Sequence, residues 1–223
     1  MLNAGVSPLL LELRTGGQPF PVHAALFRDE QNVILVDTGT PGQLEVIREA
    51  LGREGVSLDQ LTQIIITHQD MDHLGSLPEL AEATNGRVQV LAHELCKPYI
   101  QGELPTIKRG VLVRPTKVDV TLRDGDSLPY CGGIQIIFTP GHTPDHISLY
   151  HPASRTLISG DALTSQAGTL MPPSRDFTPD MPTALRSVAK LSRLDIETVI
   201  TYHGGVCTGG IRERLLQIAS GIE

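Results

Sequence analysis

The feature that most constrains the fold is an apolar β-branched run followed at once by a segment rich in potential metal ligands. Ile64-Ile65-Ile66 is typical of a strand that is covered on both faces. The segment Thr67-His68-Gln69-Asp70-Met71-Asp72-His73 follows directly, and a short helix is predicted from about Leu74 to Ala83. The end of a strand in an α/β sheet is a usual place for a site. Two histidines interleaved with two aspartates there indicate metal binding, although Asp70 or Asp72 could instead cap the following helix.

The regions around this segment predict a mixed α/β (α+β) protein. In the first half we expect a helix that opens at Pro41 and a helix-and-loop insertion over residues 96–115, together with strands at 9–13, 22–27, 33–36 and 88–91. In the second half, residues 164–182 are predicted to form a proline-rich loop over a site. The other predicted elements there are strands at 118–122, 134–138, 147–150, 156–159 and 196–201 and helices at 183–194 and 211–219. No linker or repeat divides the chain, so we expect one domain over residues 1–223.

Three further potential ligands each follow a predicted strand of the second half. They are His142 in Pro140-Gly141-His142, Asp161 in Ser159-Gly160-Asp161 and His203 in Tyr202-His203-Gly204. Glycine beside each one permits a tight turn and a close approach of the backbone. A lone histidine in such a loop is more often structural, but the shared context of these three residues favours a common metal site.

Taken together, these segments resemble the metallo-β-lactamase superfamily over nearly the whole chain. The matching residues are Asp37 in Asp-Thr-Gly, the segment from His68 to His73, His142 in Gly-His-Thr-Pro, Asp161 in Ser-Gly-Asp and His203 in Tyr-His-Gly. The resemblance implies the metallo-β-lactamase fold, an αββα four-layer sandwich with a dinuclear metal centre at one edge of its two sheets. Asp37 is expected to support that site or to close the strand turn, rather than to bind metal.

The resemblance also implies a division of the ligands between two divalent ions. The first ion would be held by His68, Asp70 and His142. The second would be held by Asp72, His73 and His203, with Asp161 bridging the two.

Position 70 departs from the family pattern. The family's usual segment is His-x-His-x-Asp-His, and here Asp70 stands in place of the second histidine. Imidazole suits zinc, whereas shells richer in carboxylate favour harder ions such as manganese or iron. Flavodiiron relatives also carry a carboxylate at this position and bind iron. We therefore expect zinc first, with manganese or iron as the alternatives that Asp70 introduces.

The function that these residues imply is a metallo-hydrolase. Two ions ~3.5–4 Å apart can share a hydroxide that attacks an electrophilic centre. Asp70 and Asp72 are the catalytic candidates, because either could orient or shuttle a proton. We expect a small ester, lactone or thioester as substrate. Two alternatives stay open: an iron-dependent oxidoreductase of the persulfide dioxygenase kind, and a non-catalytic binding protein with a vestigial metal site.

Composition and charge limit the expected partners. The formal net charge is −7 and the isoelectric point is about 5.6, which argues against nucleic acid or an anionic membrane as the main partner. The three cysteines form no CxxC pair, which is typical of a reducing compartment. With neither a signal sequence nor an apolar run long enough to span a bilayer, we expect a cytoplasmic protein that acts on a small molecule. The sequence leaves open whether it forms a homodimer.

Overall fold

The computed structural model describes residues 5–221. The described chain divides near residue 122 into two compact units. Each unit contains one six-stranded sheet, and the second also has a two-stranded sheet. The expectation of a single domain over the full chain stays a prediction.

The sheet of the first unit combines a long hairpin with four parallel strands. Its strands, in spatial as well as chain order, are β1 (Gly5–Thr15), β2 (Gln18–Arg28), β3 (Val33–Val36), β4 (Gln63–Ile66), β5 (Gln89–His93) and β6 (Val120–Leu122). The helices are α1 (Leu44–Arg53), α2 (Met71–Leu74), α3 (Leu77–Ala83) and α4 (Lys97–Ile100), and Leu58–Gln60 is a 3₁₀ turn. Strands β3 to β6 run parallel to one another, as expected where helices connect successive strands. This confirms the predicted β-α-β-α-β order.

Burial explains the strand types of this unit. In β1, Leu9, Leu11 and Leu13 are buried while the residues between them are exposed, so this strand covers a core with one face only. In β4, every residue is buried, which agrees with the continuous β-branched run in its sequence. The ligand segment therefore leaves the sheet from a strand that is covered on both faces.

Two expectations for the first unit need correction. Helix α1 begins at Leu44 and not at Pro41. The single helix predicted from about residue 74 is two short helices, because α2 starts inside the ligand segment at Met71 and the chain bends at Gly75. A Cβ on Gly75 would lie 2.4 Å from the Pro41 ring, so the close packing of this bend requires glycine.

The sheet of the second unit is mostly antiparallel. Its strands are β7 (Ser127–Leu128), β8 (Ile134–Phe138), β9 (Ile147–His151), β10 (Thr156–Gly160), the separate hairpin of β11 (Thr164–Gln166) and β12 (Thr169–Met171), β13 (Thr198–Thr201) and β14 (Gly205–Thr208). The helices are α5 (Met181–Leu191) and α6 (Ile211–Ala219), with 3₁₀ turns at Pro152–Ser154 and Arg175–Phe177. The spatial order of the large sheet is β14-β13-β10-β9-β8-β7. Strands β7 and β14 were not predicted, and the predicted loop over 164–182 contains the β11–β12 hairpin.

Strand direction brings the functional loops of the second unit to one edge of its sheet. Strand β9 is antiparallel to both β8 and β10, and β13 is parallel to β10. Strands β8, β10 and β13 therefore point the same way, and the loops after them leave from the same edge. Helices α5 and α6 pack on an apolar core that fixes these strands, formed by residues that include Leu157, Val188, Leu191, Val199, Leu215 and Ile218.

The helices of residues 5–221 are short. Among them α5 is the longest at 11 residues, about 16 Å of helix. No helix in this part of the chain is long and apolar enough to cross a membrane.

Candidate metal centre

The first cluster of potential ligands lies in the first unit, on the turn between β4 and α2. Nε2 of His68 lies 3.4 Å from Oδ2 of Asp70, and Nε2 of His73 lies 3.7 Å from Oδ2 of Asp72. The His68 and His73 rings are stacked at a tilt, with their centroids 4.0 Å apart. Both histidines are buried, and both aspartates are partly exposed. The segment thus presents two imidazole–carboxylate pairs side by side.

Asp37, at the end of the neighbouring strand β3, orients both histidines of this cluster. Its Oδ2 lies 2.8 Å from Nδ1 of His73. The hydroxyl of Thr67 donates to the same Oδ2 at 2.8 Å and lies 3.0 Å from Nδ1 of His68. The backbone N–H of Thr67 donates to Oδ1 of Asp37 at 2.8 Å. These bonds engage Nδ1 of each imidazole and leave Nε2 as the atom with a lone pair for a metal.

The side chain of Asp70 does not cap the helix that follows it. Asp70 stands at the N-cap position of α2, but its carboxylate makes no capping hydrogen bond. Oδ2 of Asp70 instead lies 2.6 Å from Nζ of Lys108, which belongs to the irregular segment after α4. The simpler alternative of a capping aspartate is therefore wrong for Asp70. Lys108 was missed in the sequence, because nothing in its spacing relates it to the ligand segment.

The second cluster lies at one edge of the large sheet of the second unit and is centred on Asp161. Oδ2 of Asp161 lies 3.2 Å from Nε2 of His142 and 3.5 Å from Nε2 of His203. These residues follow β8, β10 and β13, the strands that share a direction. One carboxylate therefore stands between two imidazoles, an arrangement suited to a ligand shared by two ions.

A buried histidine that is not a predicted ligand supports Asp161. The backbone N–H of Asp161 donates to Nε2 of His146 at 3.0 Å. Because Nε2 accepts this bond, the proton of the neutral ring is on Nδ1, which lies 2.8 Å from the hydroxyl of Thr139. His146 is thus a structural residue that fixes the turn carrying Asp161. On the other side of the cluster, the hydroxyl of Thr178 lies 3.5 Å from Nδ1 of His142.

Two glycines next to the ligands of the second unit allow other backbone segments to approach. A Cβ on Gly141 would lie 2.3 Å from the backbone nitrogen of Ala184 in α5. A Cβ on Gly204 would lie 1.8 Å from the carbonyl oxygen of Ser165 in β11. Both glycines have positive φ angles, of 135° and 111°. Any other residue would displace the helix or the hairpin that packs against the ligand turn.

Three residues close in sequence to Asp161 or His203 take part in local packing or hydrogen bonds. Tyr202 is buried, and its ring meets that of His203 edge-on with the centroids 5.2 Å apart. The hydroxyl of Thr164 donates to the carbonyl of Pro172. Cys207 is buried in β14, which raises the pKa of its thiol, although a hydrogen bond with Ser165 opposes this shift.

The chemistry of the two donor sets fits divalent metal ions. Each set combines imidazole Nε2 atoms with carboxylate oxygens, the donors that zinc and other first-row divalent ions take in proteins. Within the first unit, the pairs His68 with Asp70 and Asp72 with His73 each offer ligand atoms within 4.8 Å of one another. The predicted metal ligands are thus brought together within each unit.

Comparison with known proteins shows the family. Residues 17–203 match the metallo-beta-lactamase superfamily. The "Probable metallo-hydrolase YflN" of Bacillus subtilis (strain 168) is 32% identical, and the alignment covers 86% of this chain and 83% of that protein. The chain therefore belongs to the metallo-β-lactamase superfamily, as the sequence predicted, and it is an enzyme of that superfamily. Several of its relatives are named as probable metallo-hydrolases, and its His/Asp clusters carry imidazole and carboxylate donors.

Solved structures confirm the metallo-β-lactamase fold. The crystal structure of a metallo-beta-lactamase family protein from Thermus thermophilus matches with a TM-score of 0.75 at 21% identity, covering 99% of this chain and 80% of that one. MEM-A1, a subclass B3 metallo-beta-lactamase from a soil metagenome library, matches with a TM-score of 0.74 at 17% identity, covering 100% and 92%. At such low identity these likenesses establish the fold alone.

A further relative carries the name of a hydrolase of hydroxyacylglutathione. The hydroxyacylglutathione hydrolase of Idiomarina loihiensis is 34% identical over 172 residues, which cover 76% of this chain. The aligned region spans only 55% of that enzyme.

Proposed function

We propose that the protein is a dinuclear metal-dependent hydrolase of a small ester, lactone or thioester. As the family pattern implies, His68, Asp70 and His142 would hold the first ion, Asp72, His73 and His203 would hold the second, and Asp161 would be shared by both. The observation that carries this proposal is the position of the Asp161 carboxylate between His142 and His203, 3.2 and 3.5 Å from their Nε2 atoms. Membership of the superfamily supports the same assignment.

In this proposal the protein's own residues hold the ions, orient the ligating imidazoles and position a proton. When bound, the ions supply a nucleophilic hydroxide at neutral pH and polarise the carbonyl under attack. Asp37, through Thr67 and directly, keeps Nε2 of both His68 and His73 available as ligand atoms. Asp72 is the better candidate to orient or move a proton, since it is the more exposed of the two aspartates and Asp70 is engaged by Lys108.

We propose zinc as the first choice of ion, with manganese or iron as alternatives. Five of the seven proposed ligands agree with the usual zinc pattern of the family: the four histidines His68, His73, His142 and His203, and Asp72. Asp161 would supply a carboxylate to both ions. Asp70 adds an oxygen donor where that pattern has nitrogen, which moves the preference towards harder ions.

The substrate class is tested by a panel of lactones, thioesters, phosphodiesters and β-lactams assayed with metal-loaded protein. We expect turnover of at least one lactone, ester or thioester, loss of that activity on chelation, and recovery when metal is restored. The relative named for hydroxyacylglutathione makes thioesters the first compounds to assay. Turnover confined to phosphodiesters or β-lactams, or no turnover of the whole panel, would contradict the proposed substrate class.

A redox function is the second candidate, and Asp70 is the observation that favours it. A persulfide dioxygenase-like enzyme would use one iron held by two histidines and a carboxylate, and Asp70 enriches this site in carboxylate. Oxygen uptake with a persulfide substrate by iron-loaded protein would support this candidate over the hydrolase. Inactivity in both assays together with an ion content below one per chain would support the third candidate, a vestigial site in a binding protein.

We also propose a cytoplasmic location and a small-molecule substrate. Three buried thiols agree with a reducing compartment. The net charge of −7 disfavours nucleic acid and anionic membranes as partners. A homodimer stays an open proposal, to be decided by the molar mass in solution.

A further inference from the structure

Lys108 places an ammonium group against Asp70, the residue that departs from the family's ligand pattern. Nζ of Lys108 lies 2.6 Å from Oδ2 of Asp70, and the same oxygen lies 3.4 Å from Nε2 of His68. Only 21% of the Lys108 side chain and 12% of the Asp70 side chain are exposed. Solvent therefore screens this pair much less than it screens an ion pair on an open surface.

A second contact attaches the chain around Lys108 to the ligand segment. The backbone N–H of Ile107 donates to Oε1 of Gln69 at 2.7 Å, and Gln69 is fully buried. Two adjacent residues of the ligand segment, 69 and 70, are thus bound to two adjacent residues of the irregular segment, 107 and 108. This double attachment holds the ammonium group beside Asp70. A lysine without a second attachment nearby would lose more conformational entropy on being held in one position.

The charges of this pair restore those of the family pattern. The histidine usual at position 70 is a neutral ligand, and Asp70 adds one negative charge in its place. Lys108 adds one positive charge, so His68, Asp70 and Lys108 together carry the formal charge of two neutral histidines. A carboxylate has two oxygens, so Asp70 can accept from Lys108 and still offer an oxygen to an ion.

We propose that Lys108 sets the affinity and the ion preference of the first metal site by neutralising Asp70 and engaging one of its oxygens. This inference rests on the proposed metal centre. Without the ammonium group, the charge around Asp70 is more negative by one unit, so divalent ions bind more tightly and harder ions such as Mn²⁺ gain most. With histidine at position 70, the carboxylate that neutralises Lys108 is lost, and the ammonium group instead repels the incoming ion.

The test measures dissociation constants of the metal-free protein for Zn²⁺ and Mn²⁺ by competition with a chromophoric chelator, a readout that needs no turnover. Lys108→Met should tighten Mn²⁺ binding roughly tenfold or more. Asp70→His should shift the preference to Zn²⁺, and Asp70→His with Lys108→Met should bind Zn²⁺ at least roughly tenfold more tightly than Asp70→His alone. Lys108→Arg keeps the charge and should stay within about threefold of the original protein.

A matched control replaces the lysine of an exposed lysine–aspartate ion pair. Nζ of Lys117 lies 2.6 Å from Oδ1 of Asp119, with 83% of the lysine side chain exposed, and Lys117→Met should bind both ions as the original protein does. Lys108→Gln serves as a second neutral variant and should also tighten Mn²⁺ binding. If the neutral variants bind both ions with unchanged affinity, the role of Lys108 is overturned and the metal centre stands. If the original protein binds neither ion, both proposals are overturned.

Discussion

At the scale of single residues, Asp37 determines how both histidines of the first cluster are presented. Its carboxylate is buried and contacts His73 directly and His68 through the hydroxyl of Thr67. The sequence predicts that the Asp-Thr-Gly turn supports the site or closes a strand, and the structure gives it the contacts of a support. Outer carboxylates of this kind fix the tautomer and the orientation of ligating imidazoles.

Replacing Asp37 should therefore weaken metal binding without removing a ligand. We expect Asp37→Asn to raise the dissociation constant for Zn²⁺ by about 10–100-fold, because the single amide oxygen cannot serve both the Thr67 N–H and the donors that contact Oδ2. Competition with a chelator measures this. The control is Asp29→Asn, which alters a carboxylate that caps an exposed loop of the same unit. Equal affinity of folded Asp37→Asn and of the original protein would remove Asp37 from the metal site.

The contact between Lys108 and Asp70 could not be predicted from the sequence. The candidate ligands could be predicted because their segments follow strands, and the ends of strands that run in the same direction meet at one edge of a sheet. Lys108 lies in an irregular segment with no periodicity, and its contact with Asp70 depends on a loop path that only the folded chain defines. A lone lysine 38 residues from its partner carries no local signal.

Cys207 is predicted to have no part in the metal centre. It lies on β14 four residues after His203, and burial raises the pKa of its thiol, so it stays protonated at neutral pH. Cys207→Ser should leave the metal content per chain unaltered and should cost about 1–2 kcal/mol in the free energy of unfolding, because a hydroxyl replaces a buried thiol. Elemental analysis and chemical denaturation measure the two effects. A loss of metal from folded Cys207→Ser would show that this thiol is a ligand.

At the scale of elements, strand direction decides where the ligands meet. The buried strands with strong apolar patterns were predicted closely: β3 spans the predicted residues, and β8 has the predicted bounds. Strands β7 and β14 were missed because they are two and four residues long, and their patterns are too short to show alternation. The β11–β12 hairpin was missed because prolines and glycines around it suggested a loop.

The packing of this hairpin against the His203 turn gives a prediction for Gly204. We expect Gly204→Ala to lower the free energy of unfolding by about 2–4 kcal/mol, since its Cβ meets the Ser165 carbonyl and its φ is positive. The matched control is Gly168→Ala in the hairpin turn, where φ is also positive but a Cβ meets nothing within 4 Å. That change should cost only about 1 kcal/mol. Equal costs in chemical denaturation would show that the close approach to Ser165 is unimportant.

At the scale of the whole molecule, each of the two units supplies part of the proposed centre. The order of the ligands along the chain agrees with the superfamily, whose match runs from residue 17 to residue 203 and so includes both clusters. If the clusters form one centre, a ligand of one unit should affect the ion held by the other. The sequence predicted the ligand set, but the identity of the ions depends on the charges around them, as Asp70 and Lys108 illustrate.

This dependence can be measured with a ligand of the second unit. We expect His142→Ala to lower the ion content by about one per chain and to weaken the binding of the ion assigned to His68 and Asp70, because the first site loses one of its ligands. The control is His151→Ala, which removes a buried histidine of the same unit that bonds to the Cys131 carbonyl and to Ser154. It should lower stability and leave the ion content unchanged. An unchanged ion content in folded His142→Ala would contradict the assignment of His142 as a ligand of the first ion.

The most direct test of the proposed dinuclear centre is the number of metal ions per chain. The protein is purified without added metal, analysed for its elements, then reconstituted with Zn²⁺ or Mn²⁺ and analysed again after removal of excess ion. The proposed dinuclear centre predicts two divalent ions per chain after reconstitution. Less than one ion per chain, unchanged by reconstitution, would contradict it.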